Sequence, residues 1–466
     1  MNKEIARIKE LIGPLSWDSL MEHVFFLSTM CVKEAVSGVH NEGRPYPFVV
    51  ESLYEFAMRM NDNGSRIATG QIVNDISKMI FENPKQVLEK YGPNNFMTLF
   101  YLWQIEDRHV LFMKLFRYNW FFSFKNDKVD MKSEFYKKYG CYYDSFAVLC
   151  CLLLTTLLAF DEVDPHKKED FFQYINKTMH MFKNLIELIA ISKEDYVNES
   201  TKYCSDIDML VYSLKVSKKY PFIKNGDYYY LYLPHVIITS CTSSLLYRMT
   251  DGNDKLYNLF SKEVLEEYYF ALAKTQNCYS FVYREMVYGT NKTPDLILVE
   301  GKRILFIEVK SFSPNTGTRI MNEQAIEKQI SEVVDGLEKL YKFLFINYPK
   351  KLDPLANFTI DNRYGILSLR GEASFDRRIL YNRLFERLGI EDEKIKKQII
   401  KHIKISCLDE FEDMMFTNTP IGKMIDYYNT PGNEMHYTSS KINNKTIDCK
   451  MVNDYEKYID NLSSFQ

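Results

Sequence analysis

The chain has 466 residues, of which 46% are hydrophobic, 26% charged and 15% aromatic. This composition argues against a disordered chain, and the length exceeds what one hydrophobic core ordinarily serves, so two or three domains are expected. The net charge of −3 points to no polyanionic partner by itself, although residues 301–406 hold 20 Lys and Arg against 14 Asp and Glu, a basic segment beside an acidic remainder.

Residues 1–219 read as helical. Apolar side chains recur at three- and four-residue spacing, as in Leu20, Val24, Phe25 and Leu27, or Leu185, Leu188 and Ile189. Breaks fall at Gly43-Arg44-Pro45, at Asn61–Gly64 and at Gly92-Pro93-Asn94. Aromatics crowd residues 100–124, as a packed core or as a docking surface. The opening, MNKEIARIKELIGPL, lacks the apolar core of a secretory leader. The most apolar run, residues 146–160, is too short to span a bilayer and is expected to be a buried helix, so no membrane partner is expected. The nine cysteines show no CxxC and no paired Cys/His spacing. They read as reduced thiols in a cytoplasmic protein, with no ligand set for structural zinc.

The pattern changes near Tyr220. Asn225-Gly226 between two strand-prone runs predicts a hairpin, followed by a helix over residues 236–249. The cluster Thr250-Asp251-Gly252-Asn253-Asp254 is a turn and a plausible linker. Residues 220–254 are thus a hairpin and connecting helix between two larger parts. From Lys255 the reading is a helix to about residue 275 and strands over 280–288, 296–299 and 304–309. A long helix over 321–344 follows, then a strand over 365–369, a helix over 377–388 and a strand over 403–407. Residues 255–407 therefore spell a mixed α/β domain around a small sheet, behind an all-α N-terminal module. Residues 408–466 form a C-terminal extension without a clear pattern.

One constellation in this domain carries chemistry. Pro294-Asp295 is followed by Glu308-Val309-Lys310. With Gly301-Lys302 as a two-residue loop, paired positions place Asp295 directly opposite Glu308. A Glu300-Gly301 loop shifts the register by two and leaves both on one face, as does the step from Glu308 to Lys310, whereas a three-residue loop would break this parity. Carboxylates brought together in a sheet repel and lose hydration, a penalty that a divalent cation removes. The plainer alternative is a surface salt bridge to Lys310. No GxxxxGK[ST], HExxH, GxSxG or dinucleotide fingerprint is present, and the eight histidines stand singly.

Asp295 and Glu-x-Lys resemble the metal-binding motif of the PD-(D/E)xK, or restriction-endonuclease-like, nucleases. Leu265-Glu266-Glu267-Tyr268-Tyr269 is similar to the acidic helix that precedes the core sheet in that family, with Glu266 at the acidic position and Glu267 the next candidate. Gln329 resembles the family's supporting helix glutamine, with Gln324 as the alternative. The resemblance covers residues 255–407. It implies a Mg²⁺-dependent endonuclease, with Mn²⁺ able to substitute. Asp295, Glu308, Glu266 and the Val309 carbonyl would be metal ligands, Lys310 the catalytic lysine, and Gln329 a supporting residue. Lys302, Arg303, Arg319, Arg377 and Arg378 are candidate phosphate contacts. The implied partner is nucleic acid, DNA before RNA. A helical module fused to such a nuclease implies regulated cutting, as in prokaryotic anti-phage defence or restriction, with a homodimer or higher oligomer and a defence-system partner protein as expectations. The alternative is a nuclease fold without catalysis, kept as a nucleic-acid-binding or assembly module.

Overall fold

Strand-forming residues fall at two places in the sequence, and the chain, here in a computed structural model, builds a separate unit around each. The structure describes residues 3–37, 46–82, 111–159, 167–203, 215–312, 322–349, 352–371, 375–430, 454, 457 and 458. The predicted breaks at Gly43-Arg44-Pro45 and Gly92-Pro93-Asn94, the first part of the aromatic stretch and Arg319 lie outside these residues. The division falls between Asp254 and Lys255, within reach of the Thr250–Asp254 turn cluster.

In the first unit the helices include Trp17–Ser37, Pro47–Met60, Leu111–Ser123 and Tyr143–Ala159. Pro47 starts its helix where a missing N–H costs nothing. Asn61, just past the end of that helix, donates to the carbonyls of Ile12 and Leu15 at 3.0 and 2.9 Å, tying the Lys3–Ile12 helix to it. The helix Tyr143–Ala159 buries Phe146, Leu149, Leu153 and Leu157, as its spacing predicts. Among the described residues no single helix is long and apolar enough to cross a membrane, and no disulfide joins the cysteines.

The all-α expectation for residues 1–219 needs correction. Strand β1 (Ala190–Ser192) pairs in parallel with β2 (Phe222–Asn225), which turns through Gly226 at φ +59° into antiparallel β3 (Tyr228–Tyr230). The hairpin at residues 220–230 thus completes a sheet of the first unit and is no connector. A three-residue strand is too short for its alternation to stand out between helices. The connecting helix is also broken, into Ile237–Ser240 and Ser243–Thr250. Thr242 leaves helical geometry at φ −128°, ψ −99°, and its hydroxyl donates to the Ile238 carbonyl at 2.6 Å.

The second unit is mixed α+β around a five-stranded mixed sheet ordered β10-β9-β8-β7-β4. Its strands are β4 (Phe281–Arg284), β7 (Leu296–Glu300), β8 (Arg303–Lys310), β9 (Arg363–Leu369) and β10 (Ile403–Cys407). β8, β9 and β10 run parallel, while β7 is antiparallel to both β8 and β4. The expected strand over 280–288 is split. β4 stops at Arg284, and Val287–Tyr288 (β5) pairs with Asn291–Lys292 (β6) in a separate two-stranded hairpin turned by Gly289 at φ +60°.

The β7–β8 hairpin has the predicted two-residue loop. Glu300 pairs with Arg303, Val299 with Ile304, Ile297 with Phe306 and Leu296 with Ile307. Gly301 takes the first loop position at φ +56°, a conformation open to glycine at no steric penalty.

Helices cover both faces of the sheet. Gly336, in the helix Glu323–Tyr341, lies over Leu367, and Gly365 lies under Leu340 and Leu344. On the other face the helix Glu266–Lys274 places the Tyr269 hydroxyl 2.8 Å from Ser368 Oγ and its ring against Phe411, with centroids 4.6 Å apart. A six-residue π-helical stretch, Phe260–Leu265, feeds directly into this helix. Residue 407 is no boundary, because β10 runs into the helix Leu408–Phe416. Glu412 accepts from the Tyr268 hydroxyl at 2.6 Å, and the Thr419 carbonyl from Tyr279 at 2.9 Å. The helices Glu393–His402 and Ile421–Asn429 were not foreseen.

Candidate active site

The hairpin register carries the motif to one place. Leu296 pairs with Ile307, so the next position brings Asp295 opposite Glu308. Pro294 has no N–H to extend the ladder. The bend before β7 is held by Thr293, whose hydroxyl accepts from Met286 N–H at 2.8 Å and donates to the Pro294 carbonyl at 3.0 Å. Past the last paired residue, the Asp295 carboxylate takes over the ladder's role and accepts the Val309 N–H at 2.7 Å. Val309 therefore meets Asp295 through its amide.

Glu308 is 1% exposed and is held by two ammonium groups. Lys310 Nζ lies 3.1 Å from Oε1. Lys339 Nζ, from the helix over this face, lies 2.8 Å from Oε1 as a hydrogen-bond donor and 2.6 Å from Oε2. Oε2 is buried, and the Lys339 ammonium lies against it. Burial alone would strongly disfavour this carboxylate, and the two cations compensate.

Further carboxylates gather around this pair. Burial above all, and then the Glu308 charge, push the Asp295 carboxyl up to about 7, against Lys339, the Val309 N–H and Lys310. Burial first, then Asp295, Glu285 and Glu308, raise Glu266 to about 8. For Lys339, burial works against the ammonium, yet Glu308, Asp295 and Glu285 together raise its pKa. Lys292 holds Glu285 at 2.6 Å on the neighbouring hairpin.

The predicted residues are not all brought together. Asp295, Glu308 and Lys310 share one face of the hairpin, and Glu266 lies within their field. Glu267 is turned away into a bidentate pair with Arg284 at 2.9 and 2.7 Å, which separates the two glutamates that sequence left as alternatives. Gln329 is buried on the same helix as Lys339. It precedes Lys339 by ten residues, about 15 Å along the axis, and Lys339 is the residue of that helix that touches Glu308. Lys302 and Arg303 stand at the hairpin turn, at the opposite end of β7 and β8 from Asp295 and Glu308. Arg377 is committed to Glu410 at 3.2 Å and Arg378 to Asp376 at 2.6 Å. Sequence reasoning missed Lys339 and Glu285. A glycine inside a strongly patterned helix, Gly336, was the available sign of a close helix–sheet approach.

The donor set suits a hard divalent cation. Asp295 and Glu308 offer carboxylate oxygens, Glu308 with a buried one that lies against the Lys339 ammonium, and Glu266 adds a third carboxyl group. Magnesium is ordinarily held by one or two carboxylates together with waters and substrate phosphates. Among the described residues no three His, Cys, Asp or Glu side chains converge into a finished cage. Glu308 is turned to its ammonium groups and Asp295 to the Val309 amide.

A second acid–base constellation lies in the first unit. Ser28 Oγ is 2.6 Å from His235 Nδ1, and His235 Nε2 is 3.2 Å from Glu51 Oε1. The order is that of a nucleophile, a base and an acid, but Ser28 is 0% exposed, so no substrate carbonyl reaches it. It reads as a core network, with Glu51 Oε2 left to the charge of Lys218 at 3.8 Å.

No family model, no curated protein and no solved structure matches this chain.

Proposed function

We propose that the second unit is a restriction-endonuclease-like, metal-dependent nuclease that hydrolyses phosphodiester bonds in nucleic acid, DNA before RNA. The observation that carries this reading is the β7–β8 register, which sets Asp295 against Glu308 with Lys310 on the same face. Three features support it further: burial and the neighbouring carboxylates raise the pKa of Asp295 and Glu266, the buried Glu308 carboxylate is compensated by two ammonium groups, and the donors are all oxygen.

Asp295 and Glu308 would hold Mg²⁺ or Mn²⁺, with Glu266 directly or through water and with the Val309 carbonyl as a further oxygen donor. The chemistry such an ion would supply there is polarisation of the scissile phosphate and a more acidic coordinated water. Lys310 Nζ, beside Glu308, positions the attacking water and donates to the phosphate oxygen that gains charge as the new P–O bond forms. The β7–β8 hairpin is a rigid base, with Leu296, Ile297, Leu298, Ile304, Leu305, Phe306 and Ile307 at most 1% exposed, so the three side chains keep their mutual placement. A helical unit preceding such a nuclease fits regulated cutting, as in prokaryotic defence.

The test is a cleavage panel of duplex DNA, single-stranded DNA and RNA with Mg²⁺ or Mn²⁺, comparing wild type with Lys310→Ala and Asp295→Ala. The reading expects metal-dependent cleavage by wild type and loss in both variants at unchanged circular dichroism. Undiminished cutting by either variant contradicts it. Nucleic-acid binding without cleavage or metal uptake would instead favour a non-catalytic binding module.

A further inference from the structure

Lys339 does more at this site than a passing surface lysine would. Its Nζ bridges both oxygens of Glu308, at 2.8 and 2.6 Å. A cation held by Glu308 would have to displace it. Lys310 reaches only one oxygen of the same carboxylate. The Lys339 side chain is 43% exposed while that of Glu308 is 2% exposed, so the ammonium has a route to water and the carboxylate has none.

Its placement is built into the backbone. A Cβ on Gly336 would lie 2.6 Å from Leu367 Cδ1, and one on Gly365 would lie 2.9 Å from Leu344 Cδ1. Leu367 is the β9 partner of Glu308, and Gly365 that of Phe306. The two glycines therefore let the helix Glu323–Tyr341 settle onto the same strand positions that carry the site. Lys339, one turn after Gly336, is delivered over Glu308 by that approach.

We propose that Lys339 is the resident counter-ion of the metal-free centre, competing with the divalent cation for Glu308 and thereby setting the site's metal affinity. The inference rests on the nuclease reading and extends it to regulation of metal loading. A dication on Glu308 and an ammonium within 3 Å of the same oxygens repel strongly in a partly buried site. Loading therefore expels the Lys339 head group toward solvent, where its tether keeps it at the rim of the site, within reach of a substrate phosphate. Lys339 acts through Glu308 and is a positioning residue.

The test is Mn²⁺ titration of the full chain by calorimetry at low ionic strength. It compares wild type with Lys339→Met, Lys339→Gln and Lys339→Arg, with circular dichroism as the fold control. Removing the ammonium is expected to tighten Mn²⁺ binding roughly tenfold or more, since one nearby unit charge is worth at least that in a partly buried site. Lys339→Arg should stay near wild type. Lys339→Gln keeps a donor without the charge, so it should tighten binding even where Lys339→Met disturbs packing. Mn²⁺ uptake by wild type with no tightening in either neutral variant overturns this inference alone. No Mn²⁺ uptake by any of the four proteins overturns the nuclease reading and this inference together.

Discussion

Glu55 in the first unit and Glu308 in the second are both glutamates that folding takes almost wholly out of water, at 0% and 1% exposure, and they are compensated in opposite ways. Glu55 accepts from the Tyr196 hydroxyl and from Ser200 Oγ, the latter at 3.1 Å, and burial raises it to about 7. Neutral hydroxyls serve it whether it is protonated or ionised, and the Arg59 charge adds a smaller stabilising influence. Glu308 is held by two ammonium groups on partly exposed side chains, with Asp295 opposite and Glu266 nearby. Cationic compensation can be exchanged for another cation, whereas hydroxyl compensation cannot. The first arrangement holds a core together, and the second is where the proposed metal would be taken up.

Charge removal at the two sites should therefore have different consequences. The largest effect is expected on cleavage. Lys310→Ala should lower the single-turnover rate by roughly 10²–10⁴-fold, while Glu55→Gln leaves it within about twofold of wild type and changes only stability. Cleavage assays on both variants with matched melting curves check this. Equal losses in the two would erase the distinction.

The next effect is one of packing. Gly336→Val forces a branched side chain against Leu367, which is itself 0% exposed. The expected destabilisation is about 1–3 kcal/mol, read by urea denaturation. Lifting the helix should also draw Lys339 off Glu308, so Mn²⁺ uptake is expected to change along with stability.

Stability should also depend on pH with a defined sign. Glu266, Asp295 and Glu55 have folded pKa values near 8, 7 and 7, above unfolded values near 4. Between these limits the folded chain holds protons that the unfolded chain has released, so stability falls as pH rises from about 4 to 8 and then levels off. Melting temperatures of the metal-free protein across this range should show the decline. Glu266→Gln and Asp295→Asn should flatten the contribution of the second unit, and Glu55→Gln that of the first. Excess Mg²⁺ should recover stability at pH 8 by about 2.7 kcal/mol at a hundredfold excess over its Kd, in wild type and in Glu55→Gln but not in Asp295→Asn. A flat pH profile would contradict the raised carboxyl groups.

The smallest effect separates two adjacent residues. Glu267 is half-buried and paired with the exposed Arg284, so Glu267→Gln should cost about 1 kcal/mol or less and leave cleavage unchanged. Glu266→Gln should lower cleavage. The reverse result would exchange the two assignments.

What the sequence made legible follows from the range of the interactions involved. The Asp295–Glu308 pairing could be read because strand parity and a two-residue loop are local, and Gly301 marks the turn. The domain limit near Asp254 was likewise signalled by a turn cluster. The all-α reading of the first unit failed at β1, whose partner strand lies far along the chain. Lys339 was not legible, because its arrival over Glu308 depends on how a helix seats on a sheet through Gly336 and Gly365. The helix Glu393–His402 had a local signal, with Asp392 capping Lys394 N–H at 2.7 Å, but its dense charges obscured the apolar spacing of Ile395 and Ile399. Glu267 shows the limit of motif matching, since two neighbouring glutamates fit one pattern and only packing assigns their roles.

The most direct measurement is the single-turnover cleavage rate of Asp295→Asn on labelled duplex DNA with Mg²⁺. This variant keeps an oxygen able to accept from Val309 and removes the charge alone. The account predicts a rate at least about a hundredfold below wild type, with the circular dichroism spectrum unchanged. A rate equal to that of wild type would contradict a metal-dependent nuclease centred on Asp295, Glu308 and Lys310.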